Sequence, residues 1–114
     1  MSDCLFCKIA SGEIPADIVY QDAQLVAFRD INPQAPTHIL VIPRQHIETL
    51  NDLSADDEHL AGQLVRRAGL IAQTLGHADA GYRTVFNCNV HGGQTVFHLH
   101  LHLLAGRPMT WPPG

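Results

Sequence analysis

Apolar and polar residues alternate with a period of two from residue 97 to residue 104, where Phe97, Leu99, Leu101 and Leu103 interleave with His98, His100 and His102. Successive side chains of a pleated strand leave opposite faces, so this stretch predicts a strand over 97–104 with its imidazoles on one face. At a rise of about 3.3 Å per residue, alternate imidazoles leave the backbone roughly 6.6 Å apart. Two of them can serve one metal ion or one substrate atom. Residues 18–20 and 25–29, separated by the polar stretch 21–24, read as a hairpin. Residues 37–43 are almost wholly apolar after His38 and suit a central strand buried on both faces. Residues 82–87 supply a further strand.

Helical spacing appears once at length. Leu60, Leu64, Ala68, Ile71, Ala72 and Leu75 recur on one stripe, Ser54 with Asp57 offers a capping box at the start, and Gly76 offers a stop. His59 and His77, at the two ends, are expected to be solvated. A short helical turn over 4–11 ends at Gly12, with Pro15 beyond it. Residues 30–36 hold two prolines and an Asn and form a loop. Helical segments interrupt the strands without regular alternation, which predicts an α+β domain: a mainly antiparallel five-stranded sheet, one long helix and a short N-terminal helix.

Composition narrows what such a domain can do. At 114 residues the chain is expected to form one domain over 1–114, with 105–114 as a C-terminal tail. A net charge of −4, with seven Lys and Arg spread along the chain, gives no surface for a nucleic acid polymer. No apolar run is long enough for a signal peptide or a membrane span, so a cytoplasmic protein is expected. In that compartment Cys4 and Cys7, a Cys-x-x-Cys pair, point to metal or redox use more than to a disulfide. Trp111, close to the end, needs cover from this subunit or another.

Imidazole is a middling strand former and an uneconomical way to be merely wettable, so three in register indicate chemistry. Either a His-x-His pair binds metal or one imidazole acts as nucleophile in phosphoryl transfer. Just upstream, residues 88–95 form a connection whose Gly92-Gly93 pair permits positive φ, and donors at Gly93, Gln94 and Thr95 are placed to converge on an anion.

The stretch 93–104, Gly-Gln-Thr-Val-Phe-His-Leu-His-Leu-His-Leu-Leu, resembles the signature of the histidine triad superfamily. The likeness extends through Phe6-Cys7-Lys8-Ile9, Glu13-Ile14-Pro15, Phe28-Arg29-Asp30-Ile31, the run from Pro33 to His38, Val41-Ile42-Pro43 and the closing Trp111-Pro112-Pro113-Gly114, which look like the nucleotide-binding branch called Hint. The resemblance implies a homodimeric purine nucleoside phosphoramidase that works through a nucleotidyl-histidine and needs no catalytic cofactor. It assigns His100 as nucleophile, with His102, His38 and Thr95 as the other catalytic residues. Phe28, Asp30 and Ile31 match the ribose and base pocket; Asn87, Gly93, Gln94, Thr95, Val96, His100 and His102 match the rest of the nucleotide site. Thr95 stands where most relatives carry Ser, and Asn89 where they often place Gly, a position Asn tolerates because it enters the left-handed region more easily than other residues. Some members also hold a structural zinc ion, and the matching ligands here are Cys4, Cys7, His46 and His98.

Overall fold

The computed structural model describes residues 3–114. Five strands form one sheet: β1 (Ile18–Gln21), β2 (Leu25–Arg29), β3 (Thr37–Pro43), β4 (Tyr82–Phe86) and β5 (Leu101–Ala105). Their order is β1-β2-β3-β5-β4, and every neighbouring pair is antiparallel. Helix α1 (Leu5–Ser11) precedes the sheet, α2 (Glu58–Thr74) links β3 to β4, and the four-residue α3 (Asn89–Gly92) lies between β4 and β5.

Alternation along β2 and β3 sorts side chains to two faces. Leu25, Ala27, Ile39 and Val41 join Leu99, Leu101 and Leu103 under Leu60, Leu64, Ala68, Ile71 and Ala72 of α2. Val26, Phe28, Leu40 and Ile42 point the other way and meet Phe6 and Ile9 of α1. The two central strands are thus buried on both faces, and the histidines belong to the α1 side. Arg44 holds that side together by donating to the carbonyls of Asp22 and Ala10 and to Gln21 Oε1.

Four expectations need correction. The strand expected over 97–104 begins only at Leu101, where its ladders to β3 and β4 both end: Val41 and Phe86 both pair with Leu101, and Pro43, two residues past Val41, has no N–H to offer. The Leu99 amide turns instead to the carbonyl of Ile47 at 2.6 Å. Phe97 consequently leaves the apolar face and is 44% exposed, whereas Leu99 is buried. Ala105 is the last residue of β5, so the tail starts at Gly106. The α-helix begins at Glu58 rather than at Ser54; a 3-10 turn, Ala55–Asp57, intervenes, and Asp57 reaches back to accept from the Ser54 amide and hydroxyl. His77 is half-buried, its Nε2 2.9 Å from Thr37 Oγ1, and so fastens the end of the long helix to the sheet.

Candidate active site

A row of polar side chains crosses the α1 face of the sheet. The amide of Asp30, just past β2, donates to the carbonyl of His38 on β3. His38 pairs with Leu104 and His102 with Leu40, which makes the two histidines diagonal neighbours across β3 and β5. Their rings lie 5.1 Å apart, and His100 and His102 are 4.9 Å apart. Below them opens a cavity of about 700 Å³. Leu5, Phe6, Ile9, Phe28 and Leu40 give it apolar walls; Asp30, Asn32, Gln34, Thr95, His100 and His102 supply polar groups at its edge and floor.

Main-chain partners fix the proton positions on these rings. The Gln34 amide donates to His38 Nδ1 at 3.0 Å, so the His38 proton sits on Nε2. His38 Nε2 then donates to His102 Nδ1 at 2.9 Å, with Asp30 Oδ2 farther off at 3.5 Å. His102 is left with its proton on Nε2. The pattern in His100 is reversed: its Nδ1 donates to the carbonyl of His98 at 2.7 Å, which frees the Nε2 lone pair for the cavity. Burial holds all three rings below the ordinary histidine pKa, and for His102 the neighbouring His100 and His38 add to that effect and bring it down to about 4. At neutral pH the site offers one imidazole lone pair and one imidazole N–H, both uncharged.

Of the expected nucleotide residues, Phe28, Asp30, Ile31, Gly93, Thr95, Val96, His100 and His102 line the cavity. Asn87 and Gln94 do not. Gln94 is buried and its side chain is spent on the backbone, accepting from the Asn89 amide and donating to the carbonyls of Glu48 and Val96. The amides of Gly93 and Gln94 are likewise taken by the carbonyls of Val90 and Asn89, so the expected convergence of donors on an anion reduces to Thr95. Asn89 adopts φ 59°, the left-handed conformation expected of it. Two contributors went unread in the sequence: Phe6, whose ring meets His100 edge-on at 5.1 Å, and Gln34, whose role is played by a main-chain amide and carries no side-chain signal.

Beside the cavity a second cluster gathers Cys4, Cys7, His46 and His98, with every ligand atom within 4.8 Å of the others. Zinc bonds of about 2.3 Å to sulfur and about 2.0 Å to nitrogen give tetrahedral edges of roughly 3.5 Å between S and N and roughly 3.3 Å between two N atoms. The cluster has Cys4 Sγ and Cys7 Sγ at 3.3 and 3.5 Å from His98 Nδ1, Cys7 Sγ at 3.3 Å from His46 Nδ1, and the two Nδ1 atoms 3.2 Å apart. His98 Nε2 donates to the carbonyl of Pro43 at 2.7 Å, so its Nδ1 carries a bare lone pair toward the thiols. Cys4 is also the N-cap of α1, which aims both thiols at the sheet. The donor set and spacing fit a closed tetrahedral metal site.

The comparisons agree with this architecture. The HIT domain model matches residues 11–109. A purine nucleoside phosphoramidase of Escherichia coli (strain K12) is 54% identical over 107 residues, 94% of this chain and 90% of the relative. The crystal structure of a HIT family hydrolase from Legionella pneumophila Philadelphia 1 superposes with a TM-score of 0.97 at 59% identity, covering 98% of this chain and 100% of the other. A Zn-bound histidine triad family protein from Mycobacterium smegmatis superposes with a TM-score of 0.78 at 34% identity, covering 92% and 76%. With its histidine row, its five-stranded sheet and these relatives, the chain belongs to the HIT domain family.

Proposed function

We propose that the protein hydrolyses the P–N bond of purine nucleoside 5′-phosphoramidates through a nucleotidyl intermediate on His100. The observation that carries this reading is the bond from His100 Nδ1–H to the His98 carbonyl, which turns a neutral lone pair into the cavity. In the first step Nε2 of His100 bonds to phosphorus and the P–N bond breaks; the leaving nitrogen takes a proton through the Thr95 hydroxyl, which recovers one from solvent. In the second step water displaces the imidazole, releasing the nucleoside 5′-monophosphate and returning a proton. His102 Nε2–H donates to a non-bridging phosphoryl oxygen and offsets the charge that gathers there. Asp30 accepts from the ribose hydroxyls, and Phe28 and Ile31 hold the base. Thr95 leaves the leaving-group side narrower than a Ser would.

The cysteine–histidine cluster is assigned a structural zinc ion. Its four ligands would leave no coordination position for substrate, so the ion ties α1 to the sheet and takes no part in the reaction. The whole of 1–114 acts as one domain, in the cytoplasm and as a homodimer. An unpaired β4 edge, together with Val65, Val90 and Trp111 at 54%, 83% and 82% exposure, supports the dimer, whose mate covers what this chain leaves bare. Among the described residues no helix is long and apolar enough to cross a membrane.

A non-catalytic nucleotide-binding adaptor and a metal hydrolase built on His98 and His100 are the competing readings. Turnover of adenosine 5′-phosphoramidate in the presence of EDTA separates all three. Persistent activity is expected; activity lost with the metal would favour the metal hydrolase, and no turnover on any phosphoramidate would favour the adaptor.

A further inference from the structure

The tautomers described above depend on one peptide group in the 30–36 loop. The Gln34 amide N–H is what excludes a proton from His38 Nδ1. Were that amide to move away, His38 could carry its proton on Nδ1. His102 would then have to place its own proton on Nδ1 to keep the pair bonded, and a bare Nε2 lone pair would face an anionic phosphoryl group.

Few contacts hold Gln34 in place from within its own loop. Its side chain donates to the carbonyl of Asn32, and Asn32 donates to Asp30 Oδ1. The remaining support comes from the far end of the sequence. Arg107, two residues past β5, donates from Nε and Nη2 to the carbonyl of Gln34 at 3.3 and 3.1 Å. Its Nη1 donates to the carbonyl of Pro108, so the guanidinium is itself braced by the tail. The preceding residue, Gly106, at φ 96°, lies so close to the loop that a Cβ on it would sit 2.8 Å from Pro36 Cβ. The tail therefore presses on the loop at Pro36 and grips it at Gln34.

We propose that Arg107 is a positioning residue: by holding the Gln34 carbonyl it keeps the Gln34 amide on His38 Nδ1, and through His38 it keeps the proton of His102 on the nitrogen that serves the phosphoryl group. Arg107 itself does not line the cavity. The inference rests on the phosphoramidase reading for its effect on turnover, and on the hydrogen-bond geometry alone for its effect on the rings.

Two measurements on the full-length protein test it. Long-range 1H–15N correlation of the histidine rings, recorded without substrate at pH 7.5, should find the wild-type His38 and His102 protonated on Nε2. In Arg107→Ala both rings should move toward an average of the two tautomers, and in Arg107→Lys, which restores one donor, part of the way back. Steady-state turnover of adenosine 5′-phosphoramidate should fall roughly tenfold in kcat for Arg107→Ala with KM changed less than about twofold, a fraction of the 10²–10³ that loss of one oxyanion donor costs. A wild-type ring spectrum in Arg107→Ala, or a wild-type His38 protonated on Nδ1, would overturn the proposal, as would a loss confined to KM. Absence of phosphoramidate turnover in the wild type would instead sink the activity assigned above, and the ring spectra would still decide the clamp.

Discussion

Two groups of imidazoles stand side by side on one face of the sheet, and in each a single main-chain group selects the chemistry. At the cysteine cluster the partner is an acceptor: the Pro43 carbonyl takes the Nε2 proton of His98 and leaves Nδ1 bare among sulfur atoms. In the Asp30-His38-His102 group the partner is a donor: the Gln34 amide fills Nδ1 of His38 and obliges Nε2 to keep its proton. Both groups have enough ligand atoms within 4.8 Å of one another to hold a cation. In the first the His98 lone pair faces the other ligand atoms, whereas in the second a proton on His38 Nε2 stands between them. In the second a metal ion would have to displace a proton that the backbone holds in place, so the same residue type is arranged to suit metal binding in one case and hydrogen bonding in the other.

The sharpest break in this comparison is His100→Ala. It should lower turnover by roughly 10⁴-fold or more, the scale seen when a covalent nucleophile is removed, while nucleotide affinity and melting temperature stay near wild type. Mass spectrometry of the wild type under mild conditions should find the nucleotidyl adduct on His100; an adduct on His98 or His102 would reassign the two groups. Next is His102→Asn, whose shorter side chain keeps an acceptor near the Nδ1 position for His38 and offers no N–H at the Nε2 position that serves phosphate. A kcat loss of about 10²–10³ is expected, because one oxyanion donor has gone.

The cysteine cluster should respond in the opposite sense. A Cys4→Ser/Cys7→Ser protein should lose about one zinc ion per chain by elemental analysis and melt of order 10 °C lower, yet retain turnover within about threefold at 25 °C. Metal-free wild-type protein with unchanged stability would erase the distinction between the groups. A smaller effect concerns acid. His102 faces Asp30, His38 and His100, and its folded pKa of about 4 lies below the ordinary histidine value of 6.5. The unfolded chain therefore binds more protons between those values, so the contribution to stability is complete above pH 6.5 and lost as pH falls toward 4. Melting curves from pH 7 to pH 4 should decline less steeply in His102→Asn than in the wild type.

Much of this was legible along the chain. The strands at 25–29 and 37–43, the apolar stripe of the long helix and the two-thiol, two-imidazole donor set each follow from periodicity, spacing or the family resemblance, since each is carried by side-chain type. What escaped belongs to the backbone or to partners distant along the chain. The late start of β5 depends on where β3 and β4 stop pairing with it, at Val41 and Phe86, which no local pattern in 97–104 records. Gln94 looked like a phosphate donor because its side chain is polar and close to the triad; its partners are carbonyls and an amide supplied by Glu48, Val96 and Asn89. His77 read as a solvated helix end because Thr37, its partner, lies 40 residues away.

Helix α1 has only seven residues, too few to persist alone in water. What keeps it folded is external: Phe6 and Ile9 in the second core, the Arg44 bond to the Ala10 carbonyl, and the two thiols at its start. It also supplies Leu5, Phe6 and Ile9 to the wall of the cavity. A short helix laid against a sheet in this way is the kind of segment that opens locally at a smaller free energy than the whole domain. A nucleotide bound against this wall and a metal ion held at its first turn would draw on the same local equilibrium, so each would lower the rate at which the amides of α1 exchange with solvent, and the seating of a nucleotide would become in part a folding event.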